Sequence, residues 1–409
     1  MRTASLGSRD LEPLFAASTA KALSPWQAWS RFWYSSIDPS SLGLIRILTG
    51  LVVLYVHLTY TGTLFSFFGK DAWLNLDLIN EYRHDQPHVA PPVGAWTHEL
   101  AEEERKRELN TAERQYSSRW ADTNPRLVHA KGQPIASIWF HVTDPKWMVA
   151  IHAGFFVIMV MFTIGFCSRV TSILTWLAAL CYIQRSWPTL FGMDTISNLL
   201  LIYLMIGPSG AAYSVDSWLK RRRLAKQGAT LPPGVHPVPA PSVGANYALR
   251  CMQINYCIIY LASATSKLQG STWWNGTAMW GVTGNAEFNP LNVDLYLQFI
   301  TFLAKNRYLW EICMTSGVIF TLFIELGFPF LVWNRRLRPY MVIGSVMLHV
   351  GIGLIMGLTT FSLLMLAMAL SFIPGATTRW AINGALDWLK GGSSSKDVQK
   401  PALAASGAA

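Results

Sequence analysis

The chain has 409 residues, of which 51% are hydrophobic and only 14% are charged. Soluble globular domains carry about 25% charged residues, so this composition excludes an ordinary soluble domain and points to a membrane protein. The net charge of +10 does not indicate nucleic-acid binding, because the basic residues cluster in short loops between apolar stretches. The five cysteines show no metal-ligand spacing, so no metal site is predicted.

Apolar runs long enough to cross a bilayer recur along the chain. A spanning helix needs about 20 mostly apolar residues. Such runs begin near Ser41, Met148, Val170, Met193, Tyr247, Leu309, Tyr340 and Leu358. We therefore predict an all-α fold, a polytopic transmembrane helical bundle of about eight spans. The last two runs are short, so a re-entrant hairpin is an alternative between Tyr340 and Pro374.

The composition divides the chain into three parts. Residues 1–24 are predicted to be a flexible N-terminus, 25–380 a transmembrane helical domain and 381–409 a disordered tail. The domain contains an extracytoplasmic insertion at 70–146 and a basic loop at 216–246. The charged middle of the insertion is typical of a solvated helix, or of a lid over an external site.

Basic residues and tryptophans predict how the chain lies in the membrane. Lysine and arginine concentrate at 220–226 and 335–338, and eight spans place both clusters on one side. Basic loops are cytoplasmic, so that side, with both termini, is predicted to face the cytoplasm. Before the first span, Trp26, Trp29 and Trp33 recur at helical spacing. They predict an amphipathic helix lying on the bilayer surface.

Ionisable residues within the apolar runs are functional candidates, because a charge in hydrocarbon is costly. In chain order they are Arg46, His57, His152, Asp194, Lys267, Glu325 and His349. We assign the three histidines and Lys267 to a catalytic site, and Arg46, Asp194 and Glu325 to structural polar positions. Structural pairing, for example of Arg46 or His349 with Glu325, is an open alternative for each.

Lys267 ends the fifth run and follows the small residues Ala262, Ser263 and Ala264. Small residues allow close helix packing, which would remove water from the lysine. A desolvated amine favours its neutral form, as a general base requires. A lysine whose amine reaches out to the membrane interface is the alternative.

Four stretches of the chain resemble the HTTM family, the membrane domain shared with vitamin K-dependent γ-glutamyl carboxylases. They are Asp38-Pro39 with Leu42-Gly43-Leu44-Ile45-Arg46-Ile47, Gly192-Met193-Asp194 with Pro208 and Tyr213-Ser214-Val215-Asp216, the stretch from Tyr260 to Gly276 with Ser266-Lys267-Leu268, and Leu348-His349-Val350-Gly351-Ile352 with Phe361-Ser362. Their order and spacing extend over residues 30–375.

The resemblance matches Lys267 to the carboxylase's catalytic lysine. It implies that Lys267 deprotonates a reduced, vitamin K-like quinone, whose reaction with oxygen gives a base that removes a γ-proton from glutamate before carbon dioxide adds. It also implies that Trp273, Trp274 and Tyr260 bind the quinone. The expected partners are the lipid bilayer, a lipid-soluble quinone and an extracytoplasmic protein or peptide, with no nucleic acid. The alternative is a non-catalytic helper, immunity or transport-related protein that retains the fold.

Overall fold

A computed structural model describes residues 24–85, 135–227, 238–285 and 293–389 of the chain. Within these ranges the protein is helical, with no β-strand. The helices are α1 Pro25–Tyr34, α2 Ser40–Thr61, α3 Leu64–Phe68, α4 Leu76–Asp85, α5 Pro145–Ile164, α6 Ser168–Arg185, α7 Gly192–Ile206, α8 Val215–Lys226, α9 Val243–Leu268, α10 Ser271–Trp274, α11 Ala278–Thr283, α12 Asp294–Lys305, α13 Arg307–Leu331, α14 Arg338–Ile355, α15 Thr359–Ala369 and α16 Gly375–Leu389.

Four of these helices, α2, α5, α13 and α14, are long and apolar enough to cross a membrane. The α15 helix with its 3-10 extension to Phe372 and α16 form a pair bent by 116°, which makes a fifth candidate span if the two count as one. The α7 helix is apolar but shorter. These features support a multi-pass membrane protein.

The predicted third and fifth runs form helices, but neither is among the candidate spans in the described part of the chain. The fifth run is α9, which buries Asn246 and Gln253 and ends on Lys267. The third run is α6, which buries Arg185 and several hydroxyl-bearing residues. Polar residues on the inner face of a helix lower its mean hydropathy, although its outer face is still apolar.

Two long helices hold the bundle together. The α2 helix packs on α5, α7, α15 and α16, and α9 packs on α1, α7, α13 and α15. The backbones of α2 and α5 approach closely at Gly50, where a Cβ would lie only 2.9 Å from Thr163 Cβ. Close approach at a small residue is a common means of membrane helix association.

The N-terminal helix α1 packs on the amino end of α9. Asn246 donates hydrogen bonds to the carbonyls of Phe32 and Trp33, at 2.8 and 2.9 Å. The tryptophans Trp26 and Trp29 remain exposed. The helix predicted before the first span is therefore present, with an exposed aromatic face.

The carboxyl-terminal part differs from the sequence-based expectation. Helix continues to Leu389, within the tail predicted to be disordered from residue 381, because 375–389 carries few helix-breaking residues. Between α14 and α15 the chain turns at Gly357, whose φ of +69° favours glycine. The predicted N-terminal segment 1–23, most of the insertion (86–134) and the end of the tail (390–409) lie outside the described residues.

Candidate functional site

Lys267 and Glu325 form an ion pair between the end of α9 and the carboxyl-terminal third of α13. The Lys267 Nζ lies 2.8 Å from each carboxylate oxygen of Glu325 and donates to Ser263 Oγ at 2.5 Å. Ser263 also donates to Glu325 Oε1 at 3.2 Å. Because Ser263 and Lys267 are four residues apart, they lie on one face of α9 and reach the same carboxylate.

The pair is mostly shielded from solvent. The Glu325 side chain is 6% exposed and that of Lys267 is 23% exposed. The Trp273 ring centroid lies 5.3 Å from Nζ, close enough for a cation–π interaction. Trp274, in contrast, is 73% exposed and donates its indole N–H to the Leu268 carbonyl at 2.7 Å. Of the two tryptophans predicted to bind a quinone, only Trp273 contacts the ion pair.

A buried network of hydroxyl groups joins α9 to α14, on the part of α9 that precedes Lys267. Tyr256 and Tyr260 of α9 each contact Ser345 Oγ of α14, at 2.5 and 2.8 Å, and their hydroxyls are 2.9 Å apart. The Tyr260 hydroxyl also lies 3.0 Å from His349 Nε2. His349 Nδ1 is buried with no hydrogen-bond partner.

The ion pair and the network share helix α9, where Tyr260 lies roughly two turns before Lys267. Along this helix the structure brings together three of the predicted site residues, Lys267, His349 and Tyr260. It adds Glu325, which we had assigned a structural role. A proton can pass between the Lys267 amine and the Glu325 carboxylate, which are in contact, in surroundings with little water.

His57 and His152, also predicted to be catalytic, belong to a second cluster around Tyr182. His152 Nδ1 lies 2.7 Å from the Tyr182 hydroxyl, and its Nε2 lies 2.9 Å from Thr61 Oγ1. The His57 and Tyr182 rings pack edge to face with centroids 4.7 Å apart. This cluster joins α2, α5 and α6 and shares no hydrogen bond with the Lys267 site in the described ranges.

Arg46 and Asp194 contact backbone groups, and Arg46 does not pair with Glu325 in the described part of the chain. The Arg46 guanidinium donates to the carbonyls of Ser209, Ala212 and Tyr213, at 2.5, 3.3 and 2.5 Å. Asp194 lies in the first turn of α7, and its Oδ2 accepts from the Phe191 amide at 3.0 Å. Both side chains therefore contact backbone groups, and their structural role stays a prediction.

Sequence reasoning missed Arg185, which is fully buried at the end of α6. Its guanidinium donates to the carbonyls of Gly69 and Leu74, at 2.9 and 3.0 Å. An arginine at the end of an apolar run is normally interpreted as reaching out to water.

Sequence reasoning also did not single out Tyr256. The pair Tyr256 and Tyr260 could have been predicted from the sequence, because two tyrosines four residues apart share a helix face.

No protein-family model, curated protein or solved structure matches the chain. In the described residues, no group of three histidine, cysteine or acidic side chains is arranged to hold a metal ion. The chemistry of the site must therefore be argued from its own side chains.

Proposed function

We propose that the protein is an integral membrane protein of the HTTM, vitamin K-dependent carboxylase-like type, with quinol-dependent carboxylase- or epoxidase-type chemistry at the Lys267–Glu325 pair. The proposal includes the eight-span topology, with both termini cytoplasmic and α1 lying on the cytoplasmic surface. The observation that carries it is the shielded lysine–carboxylate pair. The buried His349, one ring nitrogen of which has no partner, contacts the same helix α9 at Tyr260.

The side chains around the pair fit a reduced quinone. His349 Nδ1 is a buried polar atom without a partner, and the Trp273 ring lies beside the ion pair, whereas the Tyr260 ring is already packed on its neighbours. A hydroxyl group of a reduced quinone could donate to the histidine, and its ring could pack on Trp273. When bound, a reduced quinone supplies reducing equivalents and, with oxygen, the base that removes a carbon-bound proton.

The protein's own part is to hold and accept protons. Nζ of Lys267 becomes a base once its proton has passed to a Glu325 oxygen, 2.8 Å away. Ser263 then keeps both partners in place through its hydrogen bonds to each. Burial of the carboxylate limits competing protonation by water.

The contacts of Lys267 also favour a second candidate, a non-catalytic membrane protein that retains the fold. The ammonium group has three oxygen contacts, two from Glu325 and one from Ser263, so it can serve as a structural link between α9 and α13. In that case the helper, immunity or transport-related role would lie elsewhere on the protein.

The deciding experiment is oxygen-dependent epoxidation of a reduced naphthoquinone by purified protein in nanodiscs. Wild type, Lys267→Ala and the control Lys305→Ala are compared, since Lys305 is an exposed lysine at the end of α12. We expect epoxide from wild type and Lys305→Ala, and a loss of about 10²- to 10⁴-fold in Lys267→Ala, as for a missing general base. No turnover above empty nanodiscs with several quinols would support the non-catalytic protein instead.

A further inference from the structure

A second candidate site is a cavity of about 50 Å³ between α2, α6 and α7. One water needs roughly 10–15 Å³ by this measure, so the cavity can hold a small polar group. It is separate from the Lys267 site, which does not line it. Its walls are mostly apolar, with polar side chains that include His57, Asp194 and Ser197.

His57 lines the cavity and has a ring nitrogen, Nε2, without a hydrogen-bond partner. The side chain is buried, with 6% exposed, and its Nδ1 lies 2.7 Å from the Val53 carbonyl. A carbonyl only accepts, so Nδ1 carries the hydrogen, and Nε2 of the neutral ring is an acceptor. Nε2 is buried and has no partner. An unpaired buried acceptor is costly, so a ligand that donates to it is favoured.

Two hydroxyl-bearing residues of the wall, Ser197 and Thr189, present acceptors because their own hydrogens are used. Ser197 donates its hydroxyl hydrogen to the Asp194 carbonyl at 3.0 Å, and Thr189 donates to the Ser186 carbonyl at 2.8 Å. The Asp194 carboxylate accepts one amide hydrogen at the amino end of α7, which offsets its charge. The Tyr60 hydroxyl, which also lines the cavity, can donate a hydrogen bond. A neutral hydroxyl group, which both donates and accepts, therefore complements the wall better than an anion or a pure acceptor does.

The cavity reaches the protein surface at an apolar rim. Leu190 and Phe191 line it and are 39% and 45% exposed. Thr189, which also lines it, is exposed as well. An alkyl chain attached to the bound group would extend out of the cavity and pack on the Leu190 and Phe191 side chains, because burial of apolar surface is favourable.

We propose that this cavity binds the hydroxyl group of a neutral amphiphile, a long-chain alcohol in chemical class, with the hydroxyl donating to His57 Nε2 and the chain lying over Leu190 and Phe191. The site is independent of the chemistry proposed for Lys267. His141 is exposed, does not line the cavity and belongs to neither site, so it provides a control histidine.

The test is photolabelling of the full-length protein in nanodiscs with a diazirine-bearing octanol and with its methyl ether, which accepts but cannot donate. Labelled residues are located by mass spectrometry. We expect the alcohol to label the 183–191 segment about three- to tenfold more than the ether, the effect of one hydrogen bond. His57→Phe should bring that ratio to about one, while His141→Phe should leave it as in wild type.

A cavity-filling variant gives a second, independent measurement. Ala179 is a small, buried lining residue, so Ala179→Leu should occupy the cavity and lower labelling by the alcohol several-fold. The alcohol-to-ether ratio compares two probes on one protein, so it stays informative for any variant that folds. Equal labelling by both probes in wild type, or an unchanged ratio in His57→Phe, would overturn the proposal and leave the cavity as a site for water only.

Discussion

Lys267 Nζ lies 2.8 Å from both carboxylate oxygens of Glu325, so one ion pair links the last turn of α9 to the carboxyl-terminal third of α13. Either proposed function depends on this contact. In the catalytic protein it stores and releases a proton, and in the non-catalytic protein it fixes two helices.

The stability of the pair can be measured by a double-mutant cycle with Lys267→Met and Glu325→Leu. Removing one partner of a buried ion pair costs about 3–5 kcal/mol, because the other charge remains buried and unpaired. We expect each single variant to lose an amount of this order in unfolding free energy, and the double variant to recover part of it. The measurement is unfolding in detergent micelles. Strictly additive losses would show that the two side chains do not interact.

The residues of the site could be selected from the sequence, but their partners could not. Lys267, Glu325 and His349 stand out because each is ionisable within an apolar run. Glu325 is 58 positions from Lys267 in the chain, and only the packing of α9 on α13 brings them together. Arg46 shows the same limit, because its partners are backbone carbonyls, which no side-chain pattern reveals.

The helices themselves were easier to predict than the number of spans. Hydropathy located a helix at each predicted run, since apolar runs of this length have few alternatives in a membrane. Hydropathy does not distinguish, for a helix with a polar inner face such as α9, a span of the membrane from burial among other helices. The separation of His57 and His152 from the Lys267 site is also a result of packing and not of spacing.

Arg46 should be irreplaceable by lysine. Its guanidinium serves three carbonyls after α7 at once, and a lysine ammonium lacks that planar fork. We expect Arg46→Lys to lower the unfolding free energy by about 1–3 kcal/mol, the cost of buried acceptors without a donor. The control is Arg169→Lys, because Arg169 is exposed and donates only to the Met205 carbonyl, at 3.4 Å. Equal melting temperatures for the two variants would contradict this role.

Asp216 should make the fold sensitive to acid. Burial alone would raise its pKa, but hydrogen bonds from the Ser168 hydroxyl and amide and the Cys167 amide, together with the charge of Arg46, hold the pKa below its usual 3.8. A carboxyl group with a lowered pKa in the folded state stabilises the protein fully above its unfolded value. That stabilisation is lost as the pH falls from 3.8 through the folded value.

The expected result is that Asp216→Asn removes part of this acid sensitivity. Melting temperatures of both proteins are measured from about pH 6 to about pH 3, and the wild-type curve should fall more steeply at the acid end. Asp71→Asn serves as the control, because Asp71 is exposed. Parallel curves for wild type and Asp216→Asn would show that the carboxylate does not contribute.

Two glycines offer a matched test of helix packing. A Cβ on Gly50 would lie 2.9 and 3.0 Å from Cβ and Cα of Thr163, whereas a Cβ on Gly154 would meet nothing within 4 Å. We expect Gly50→Ala to lower the unfolding free energy by about 1–3 kcal/mol through overpacking. Gly154→Ala should raise it by about 0.4–1 kcal/mol, since alanine restricts the unfolded chain. A neutral Gly50→Ala would argue against the close contact of α2 with α5.

The two basic clusters, at 220–226 and 335–338, distinguish the eight-span topology from one in which only α2, α5, α13 and α14 cross. With eight spans, α5 returns the chain to the cytoplasm, and α6 and α7 cross out and back, so the first cluster is cytoplasmic. The next two helices, α9 and α13, again cross out and back, so the second cluster is cytoplasmic as well. With only four spans, α13 alone crosses between them, and the second cluster faces outward. A cysteine-free background with Arg222→Cys or Arg336→Cys, labelled by a membrane-impermeant maleimide before and after permeabilisation, measures the difference. We expect both positions to need permeabilisation, because basic loops are retained in the cytoplasm; labelling of Arg336→Cys alone in intact cells would establish the four-span arrangement and remove Lys267 from the membrane.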